Sequence, residues 1–575
     1  MTSGSFWDET TKELLGWPEV MASLSPVSPA GLRAKRQIRP YLSSERSLWE
    51  ERMDDLLMLR SALGDEEWAK ELRDALRQLP DVEGLLSLIE QGATLRPVDF
   101  FELKRFCWQG FAVERLLQAK GLCFRFWEQV AWEEHLRRLN PPGELVPSFS
   151  LAELSSDAEL VRLHREHSAL NEAIFAEKKA QGDRLRARYG RKPGKDGQLV
   201  FDRSDPNATA AKQDQDLQLM QETVFEAIFQ QVEPERVQEL LQQREDKLVE
   251  IEDRETEALQ DLVSEFRPHA AMLLRALSAL GRLDLTLAKA HLANRWQMGA
   301  VCWESAGGAA AQEVGRAVEG AADAGREAIA RDRSVTSGWT VEAAFHPLAR
   351  EAVEKRGGAY TALDLELDPG VGLITGPNMG GKTVVLKTLG LLQALAQHAL
   401  PVPARLFRFR PVERIGISGG DEQSLASGLS SFGAEMQRLS ALLGDSRPAL
   451  LLLDEVARTT NPEEGEALAI GLASYLLTTG HSALFASHFP GVTEVNGIQG
   501  FRVAGLKRDL LDRLEESAPQ ELLQRLYSAM DYRLLKSCAG DVPKDAVRLA
   551  KCFGLPQAVL EQAQAVLQRK EGPTS

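Results

Sequence analysis

The residues best suited to chemistry lie between positions 376 and 488. Gly376-Pro377-Asn378-Met379-Gly380-Gly381-Lys382-Thr383 fits the pattern G-x-x-x-x-G-K-[ST]. Glycines at these positions let backbone N–H groups close around phosphate oxygens, and Lys382 brings a positive charge to the β- and γ-phosphates. The Thr383 hydroxyl is suited to Mg²⁺. Further on, the apolar run 450–453 ends in Asp454-Glu455. Asp454 there would hold Mg²⁺ through water, and Glu455 would orient or deprotonate an attacking water. The alternative is a strand that merely ends in two solvated acids. His488 follows another apolar run, 483–486, and would reach the γ-phosphate or the water. The alternative there is a structural histidine. The set predicts a site that binds ATP with Mg²⁺ and hydrolyses it to ADP and phosphate.

Such groups need elements to hold them. The run 371–374 supplies a strand before the glycine loop, and 384–395 supplies a helix after it, whose N-terminal dipole favours an anion. Short apolar runs at 363–367, 372–375, 449–453 and 483–486 alternate with helical segments. That pattern predicts an α/β domain with a largely parallel sheet over 339–506.

Residues 1–150 read as a helical core, with apolar residues at three- and four-residue steps through Leu56, Leu57, Leu59 and Leu63 and through Leu85, Leu86 and Ile89. Asn140-Pro-Pro-Gly143 is a break. Residues 151–292 read as a long helical arm. Its first helix runs to Tyr189, its tip lies near 190–206 with a short strand at 199–201, and its second helical stretch runs from about Thr209 to Leu292. Two long helices joined at a tip suggest an antiparallel arm; two helices of an ordinary bundle have the same periodicity. Residues 293–338 read as a return helix or linker, and 507–575 as a helical segment. The expected fold class is multidomain: an all-α N-terminal core and long helical arm, then an α/β P-loop ATPase domain with a C-terminal helical tail.

Composition sets outer limits. The 575 residues are 43% hydrophobic and 26% charged, which suits several soluble domains with cores of their own. There is no run of about 18 apolar residues, so no membrane span is expected. The N-terminus lacks the basic and apolar regions of a secretory signal. The five cysteines are scattered without a C-x-x-C pair, so neither a zinc site nor a disulfide framework is expected. A reducing cytoplasm is the expected setting. The net charge of −16 argues against general polycation-like binding of nucleic acid, but a local basic patch can still bind it.

In combination these motifs resemble the MutS family, a branch of the ABC-type ATPases. The run 375–383 is similar to that family's phosphate loop, including the Pro-Asn that ordinary P-loops lack. Residues 424–432 with Glu435-Met436 resemble its signature segment. Asp454-Glu455 with Arg458-Thr-Thr-Asn-Pro462 and Gly465 resemble its Walker B acids and the loop after them. Residues 485–488 resemble its histidine switch, and 281–293 resemble the helices leading back from its arm. The resemblance implies a homodimer or a heterodimer with a related subunit. Each nucleotide would be sandwiched between one subunit's phosphate loop and the other's signature segment, with Ser430 reaching the γ-phosphate in trans. Phe100-Phe-Glu102 matches the family's mismatch-reading wedge only superficially, because it falls in a helical stretch. Mismatch reading is therefore not expected. The layout resembles the second MutS branch, without the small nuclease domain in which that branch ends.

Two substrates for the ATPase stay open. One is DNA, gripped by a helical clamp that opens and closes. Arg184, Arg186, Arg188, Arg191, Lys192 and Lys195 cluster near the arm tip and suit phosphate contacts, or else form a solvated basic loop. The other is a protein client. Residues 457–462, 530–532 and 541–546 resemble the ATPase that reactivates a cobalamin-dependent lysine 5,6-aminomutase.

Overall fold

A computed structural model describes residues 5–140, 149, 158–194, 196–304, 338–377, 381–419, 431–506, 530–537, 547, 550–551 and 553–571. The chain forms two compact units. One contains Met1–Val27, Gly31–Arg73 and Arg282–Ser575; the other contains Ser28–Ala30 and Asp74–Gly281. The whole is mixed: helices carry the first 300 residues, and strands enter beyond them and at the arm tip.

The second unit holds the arm. Helix α1 (Ala158–Tyr189) packs along helix α2 (Glu235–Phe266). Leu170, Ala173 and Ile174 meet Val237, Leu240 and Leu241. Glu166 pairs with Lys247 at 3.1 Å, and His164 with Glu255 at 3.4 Å. Numbers falling on one helix as they rise on the other fix an antiparallel pair. Helix α2 stops just ahead of Pro268, which cannot donate to the helical ladder, and the chain resumes as the helix Ala270–Arg295. Phe100 is fully buried within the helix Pro97–Ala119.

The tip is larger than the sequence suggests. Strands β1 (Gln198–Asp202), β2 (Leu217–Glu222) and β3 (Glu226–Gln231) form an antiparallel sheet in the order β1-β3-β2. The helix expected from about Thr209 is therefore replaced by a short turn of helix, Pro206–Ala211, and two strands, and α2 begins only at Glu235. Gln, Glu, Leu and Met favour helix in isolation, but pairing of β2 along β3 wins here. Leu199, Phe201, Leu217, Ala227 and Phe229 all turn onto Leu185, Tyr189, Ala208 and Ala211. The Thr223 hydroxyl closes the hairpin by accepting from the N–H of Glu226 at 2.9 Å and of Phe225 at 3.2 Å.

The first unit contains two sheets. Strands β4 (Ala300–Trp303), β5 (Trp339–Ala344), β6 (Leu363–Leu367) and β8 (Leu406–Phe409) form one in the order β4-β8-β5-β6. The second contains β7 (Val371–Thr375), β9 (Arg414–Ser418), β10 (Ala449–Asp454), β11 (Ser482–Ala486), β12 (Gln499–Leu506) and β13 (Met530–Lys536). Its order is β13-β12-β7-β11-β10-β9, with five parallel strands and β13 antiparallel at the edge. Residues 530–536, expected to be helical, instead pair along β12 and cover what would otherwise be an open edge. The tail does end in a helix, Gln557–Glu571.

Helices α3 (Lys382–Gln397), α4 (Ser431–Leu443) and α5 (Pro462–Leu477) follow strands of this sheet. Strands β7, β9, β10 and β11 are buried along their whole length, as expected of parallel strands covered on both faces. Leu439 and Leu442 of α4, and Ala469, Ala473 and Leu476 of α5, pack with Leu451, Leu453 and Phe485. Helix α3 is buried almost all round, and the last carbonyls at its far end are met from outside. Trp49 Nε1 donates to Ala396 O at 2.6 Å, the Tyr41 N–H to Gln397 O at 2.6 Å, and Lys289 Nζ to Ala399 O at 3.0 Å. No helix among the described residues is long and apolar enough to cross a membrane.

Candidate functional site

Strand register brings the distant motifs to one level. Ile374 pairs with Ala486, and Ala486 with Asp454, so β7, β11 and β10 end side by side. The glycine loop leaves β7, the two acids end β10, and His488 follows β11, which lies between them. Two further bonds extend the ladder beyond the strands: Ser487 N–H to Ile374 O at 3.2 Å, and Glu455 N–H to Ala486 O at 2.9 Å. Crevices at the carboxyl ends of parallel strands are where α/β sheets bind ligands.

Lys382 opens α3 behind Gly381, whose φ of +86° an L side chain seldom adopts. Its side chain is 4% exposed and lies deep in the crevice. It donates to Gly376 O at 2.9 Å and Pro377 O at 3.3 Å, and stands 3.2 Å from Glu455 Oε1. Thr383 Oγ1 donates to Asp454 Oδ2 at 2.6 Å across 71 residues of sequence. Asp454 Oδ1 is buried without a hydrogen-bond partner among the described residues. Burial raises the Asp454 carboxyl above its ordinary range and the Glu455 charge adds to this, while the Thr383 bond and the Lys382 and Lys387 charges oppose it.

Glu455 has a φ of +49° and Ala457 one of +62°, a left-handed backbone that costs a side-chain-bearing residue about 1–3 kcal/mol. Among the bonds that hold this turn, Arg458 Nη1 lies 3.0 Å from Glu455 Oε2, and Glu435 Oε1 of α4 accepts the Ala457 N–H at 3.1 Å. The His488 ring packs on Phe489 at 4.2 Å between centroids. His488 is exposed as a residue, yet partial desolvation lowers its pKa. The Lys382 and Arg458 charges push the same way, and Glu455 and Glu466 oppose them.

Sequence reasoning missed Gly419. Its φ is +119°, and a side chain there would come within 2.6 Å of Asp454 Cβ and overlap the Asp454 carbonyl oxygen. The signal was a Gly-Gly pair directly after the apolar strand β9. Tyr532 of β13 is a second such residue, 3.2 Å from where a Cβ on Gly381 would sit. Asn378, Met379, Gly380 and Ser430, and the segment 420–430 with them, lie outside the described residues.

At the arm tip the basic residues are partly paired. Arg188 bonds Asp214, Arg191 lies 3.6 Å from Asp205, and Lys192 lies 2.8 Å from Asp183. Arg184 and Arg186 are exposed and make no ion pair among the described residues, and Lys195 lies outside them.

Comparison with known proteins agrees with this arrangement. Residues 372–571 match the model of MutS domain V. Endonuclease MutS2 of Thermus thermophilus is 34% identical over 226 residues, covering 39% of this chain and 27% of that protein. Endonuclease MutS2 of Streptococcus sanguinis is 29% identical over 339 residues, covering 58% and 36%. The DNA mismatch repair protein MutS of a Caulobacter species is 31% identical over 265 residues, covering 44% and 27%. Through this shared region the chain is similar to proteins of the MutS family. The matches span only about a quarter to a little over a third of the length of these relatives.

Proposed function

We propose that the chain is a MutS-type P-loop ATPase that binds ATP with Mg²⁺ at the crevice of β7, β10 and β11, hydrolyses it at an interface between two subunits, and so opens and closes a helical clamp on DNA. One observation carries the reading: Lys382, Thr383, Asp454 and Glu455, from segments far apart in sequence, meet within hydrogen-bonding distance in one crevice, with Lys382 and Asp454 buried.

The residues fit a magnesium ion. The Thr383 hydroxyl and the Asp454 carboxylate already face each other at 2.6 Å, and Asp454 Oδ1, without a partner among the described residues, offers a hard oxygen donor to the ion. A bound Mg²⁺ would offset charge on the β- and γ-phosphate oxygens. The chain's own groups do the rest. Backbone N–H groups of 376–383 cradle the phosphates. Lys382, now shared between two loop carbonyls and Glu455, turns to the γ-phosphate, which frees Glu455 to take a proton from the attacking water. The Glu435 bond to the Ala457 N–H links the acid turn to the helix behind the signature segment. In the dimer, Ser430 of the second subunit completes the site.

DNA is preferred over a protein client because the relatives above are named for endonuclease and DNA mismatch repair. Arg184 and Arg186 are the exposed cations at the tip for phosphate contacts, with Arg188, Arg191, Lys192 and Lys195 as secondary candidates.

The decisive experiment compares nucleotide binding and turnover with and without magnesium in the unsubstituted chain and in Lys382→Ala. Magnesium-dependent ATP binding is expected, with turnover falling about 10²–10³-fold in the variant. Equal affinity in both proteins would remove the nucleotide site. Fluorescent duplex and single-stranded DNA, titrated at several salt concentrations, test the clamp separately; no binding even at low salt would leave an ATPase without DNA.

A further inference from the structure

Apart from the nucleotide crevice, the first unit contains a polar cavity of about 220 Å³. Ser25, Arg73, Asp284, His291 and Arg295 line it, and all belong to that unit. Asp284, His291 and Arg295 share one face of the helix Ala270–Arg295, because spacings of seven and four residues return to the same side. Arg73 comes from the helix Glu66–Arg77. The polar part of the lining thus has two guanidinium groups, an imidazole and two hydroxyls against a single carboxylate, with Leu287 and Leu292 beside them.

That carboxylate is already engaged. Both Asp284 oxygens accept the Val27 N–H, at 3.1 and 3.0 Å. Gly31 lies so close that a side chain there would come within 2.7 Å of Asp284 Cγ. Asp284 is therefore turned toward the backbone of 27–31. The basic groups are in the opposite condition. Arg73 Nε and His291 Nε2 are buried with no hydrogen-bond partner among the described residues. Arg73 Nε always carries a proton, and an unmet buried donor of this kind calls for an acceptor. Burial and the Arg73 charge both hold His291 toward its neutral form, so an anion between the two would favour its protonation.

We propose that this cavity is a binding site for a small phosphate-bearing anion, distinct from the nucleotide crevice, with Arg73 and His291 as its principal contacts and Arg295 and Ser25 at its mouth. A guanidinium fork matches tetrahedral oxyanions in geometry as well as in charge. The volume is below the ~300 Å³ at which pockets for drug-sized ligands begin, which suits inorganic phosphate or the end of a simple phosphate ester.

The glycine loop also attracts phosphate, so the test uses Lys382→Ala as background and calorimetry with inorganic phosphate and with glycerol phosphate. One phosphate per chain is expected to bind, with affinity reduced at least tenfold by adding Arg73→Gln or His291→Gln. Binding of both probes identifies an ester end as acceptable; binding of inorganic phosphate alone identifies the free anion. Absence of both, or binding unchanged by Arg73→Gln, overturns the proposal. A second measurement needs no substitution. Phosphate should slow carbethoxylation of His291 in the full chain several-fold, read by peptide mass spectrometry, and an unchanged rate overturns the proposal as well.

Discussion

The crevice under the glycine loop and the sheet at the arm tip both gather charged residues, but they hold them differently. At the crevice the charges are buried and imperfectly matched. Lys382 is shared between loop carbonyls and Glu455, Asp454 has an oxygen without a partner among the described residues, and Glu455 sits on a left-handed backbone. At the tip, Arg188, Arg191 and Lys192 each have a carboxylate of their own at a largely exposed surface. Unresolved burial of charge marks a place built to receive something, whereas local pairing marks a place that is already complete.

The sharpest way to break that contrast is Glu455→Gln. If the left-handed turn exists to aim a base, the variant keeps magnesium-dependent ATP binding and loses turnover about 10²–10⁴-fold. Single-turnover rates measured beside equilibrium binding separate the two effects. Loss of binding with unchanged chemistry per bound ATP would make Glu455 a mere partner of Lys382.

Acid should separate the two regions next. His398 and His346 are buried in the first unit, with pKa values lowered to about 3 and about 4, chiefly by burial. Their unfolded value is about 6.5, so below that pH the unfolded chain binds protons that the folded chain refuses. Stability is therefore lost as pH falls from about 6.5 toward these folded values, by roughly 2 kcal/mol for each histidine at pH 5. At the tip, Asp214 has a lowered pKa because its bonds from Arg188 and Tyr189 outweigh desolvation. Its contribution is present above the ordinary carboxylate pKa and lost only as pH falls below it. Amide exchange at pH 5 should thus speed up in α3 and leave β1–β3 unchanged. Uniform loosening of both regions would contradict the assignment.

Asp454→Asn should produce a smaller and opposite pair of effects. A carboxyl with a raised folded pKa stabilises the fold below its unfolded pKa and loses that advantage as pH rises through the folded value. At neutral pH the charged form is therefore a burden, and the amide should stabilise the nucleotide-free chain by ~1 kcal/mol. The Thr383 hydroxyl keeps an acceptor in the amide oxygen. Stabilisation by magnesium with ATP should vanish in the same variant. A melting temperature unchanged without ligand, or still raised by magnesium with ATP, would show that Asp454 bears neither role.

The same two regions differ in how much of them the sequence displayed. The grouping of residues in the crevice was legible because they follow strand ends. An apolar run followed by a glycine loop or by two acids has few structural meanings, and parallel register then aligns Ile374, Ala486 and Asp454. What stayed hidden there depends on contacts across long sequence separations, such as Gly419 against the Asp454 backbone and Tyr532 against Gly381. The tip was half legible. Its short strand at 199–201 was visible, but 217–231 reads as helix by propensity and becomes sheet only because Leu185 and Tyr189 offer an apolar surface to pack on. The strand 530–536 was obscured in the same way, since its pairing partner is β12 and nothing local requires it.

The smallest expected effect concerns the arm cations and divides them in two. Arg184 and Arg186, exposed and without ion pairs among the described residues, are available to phosphates. Each released counterion contributes about 0.9 to the slope of log affinity against log salt, so replacing either by alanine should lower that slope by about one and weaken binding uniformly across DNA sequences. Arg188 already has Asp214, whose carboxylate is only 4% exposed and also accepts the Tyr189 hydroxyl at 2.7 Å. Arg188→Ala should therefore leave the salt slope unchanged and instead loosen the tip, seen as faster amide exchange in β2 and β3. Anisotropy titrations between about 50 and 200 mM salt read the first effect. If Arg188→Ala shifts the slope as much as Arg184→Ala, the pairing at the tip yields to DNA, and the distinction between a completed surface and a receptive one fails there.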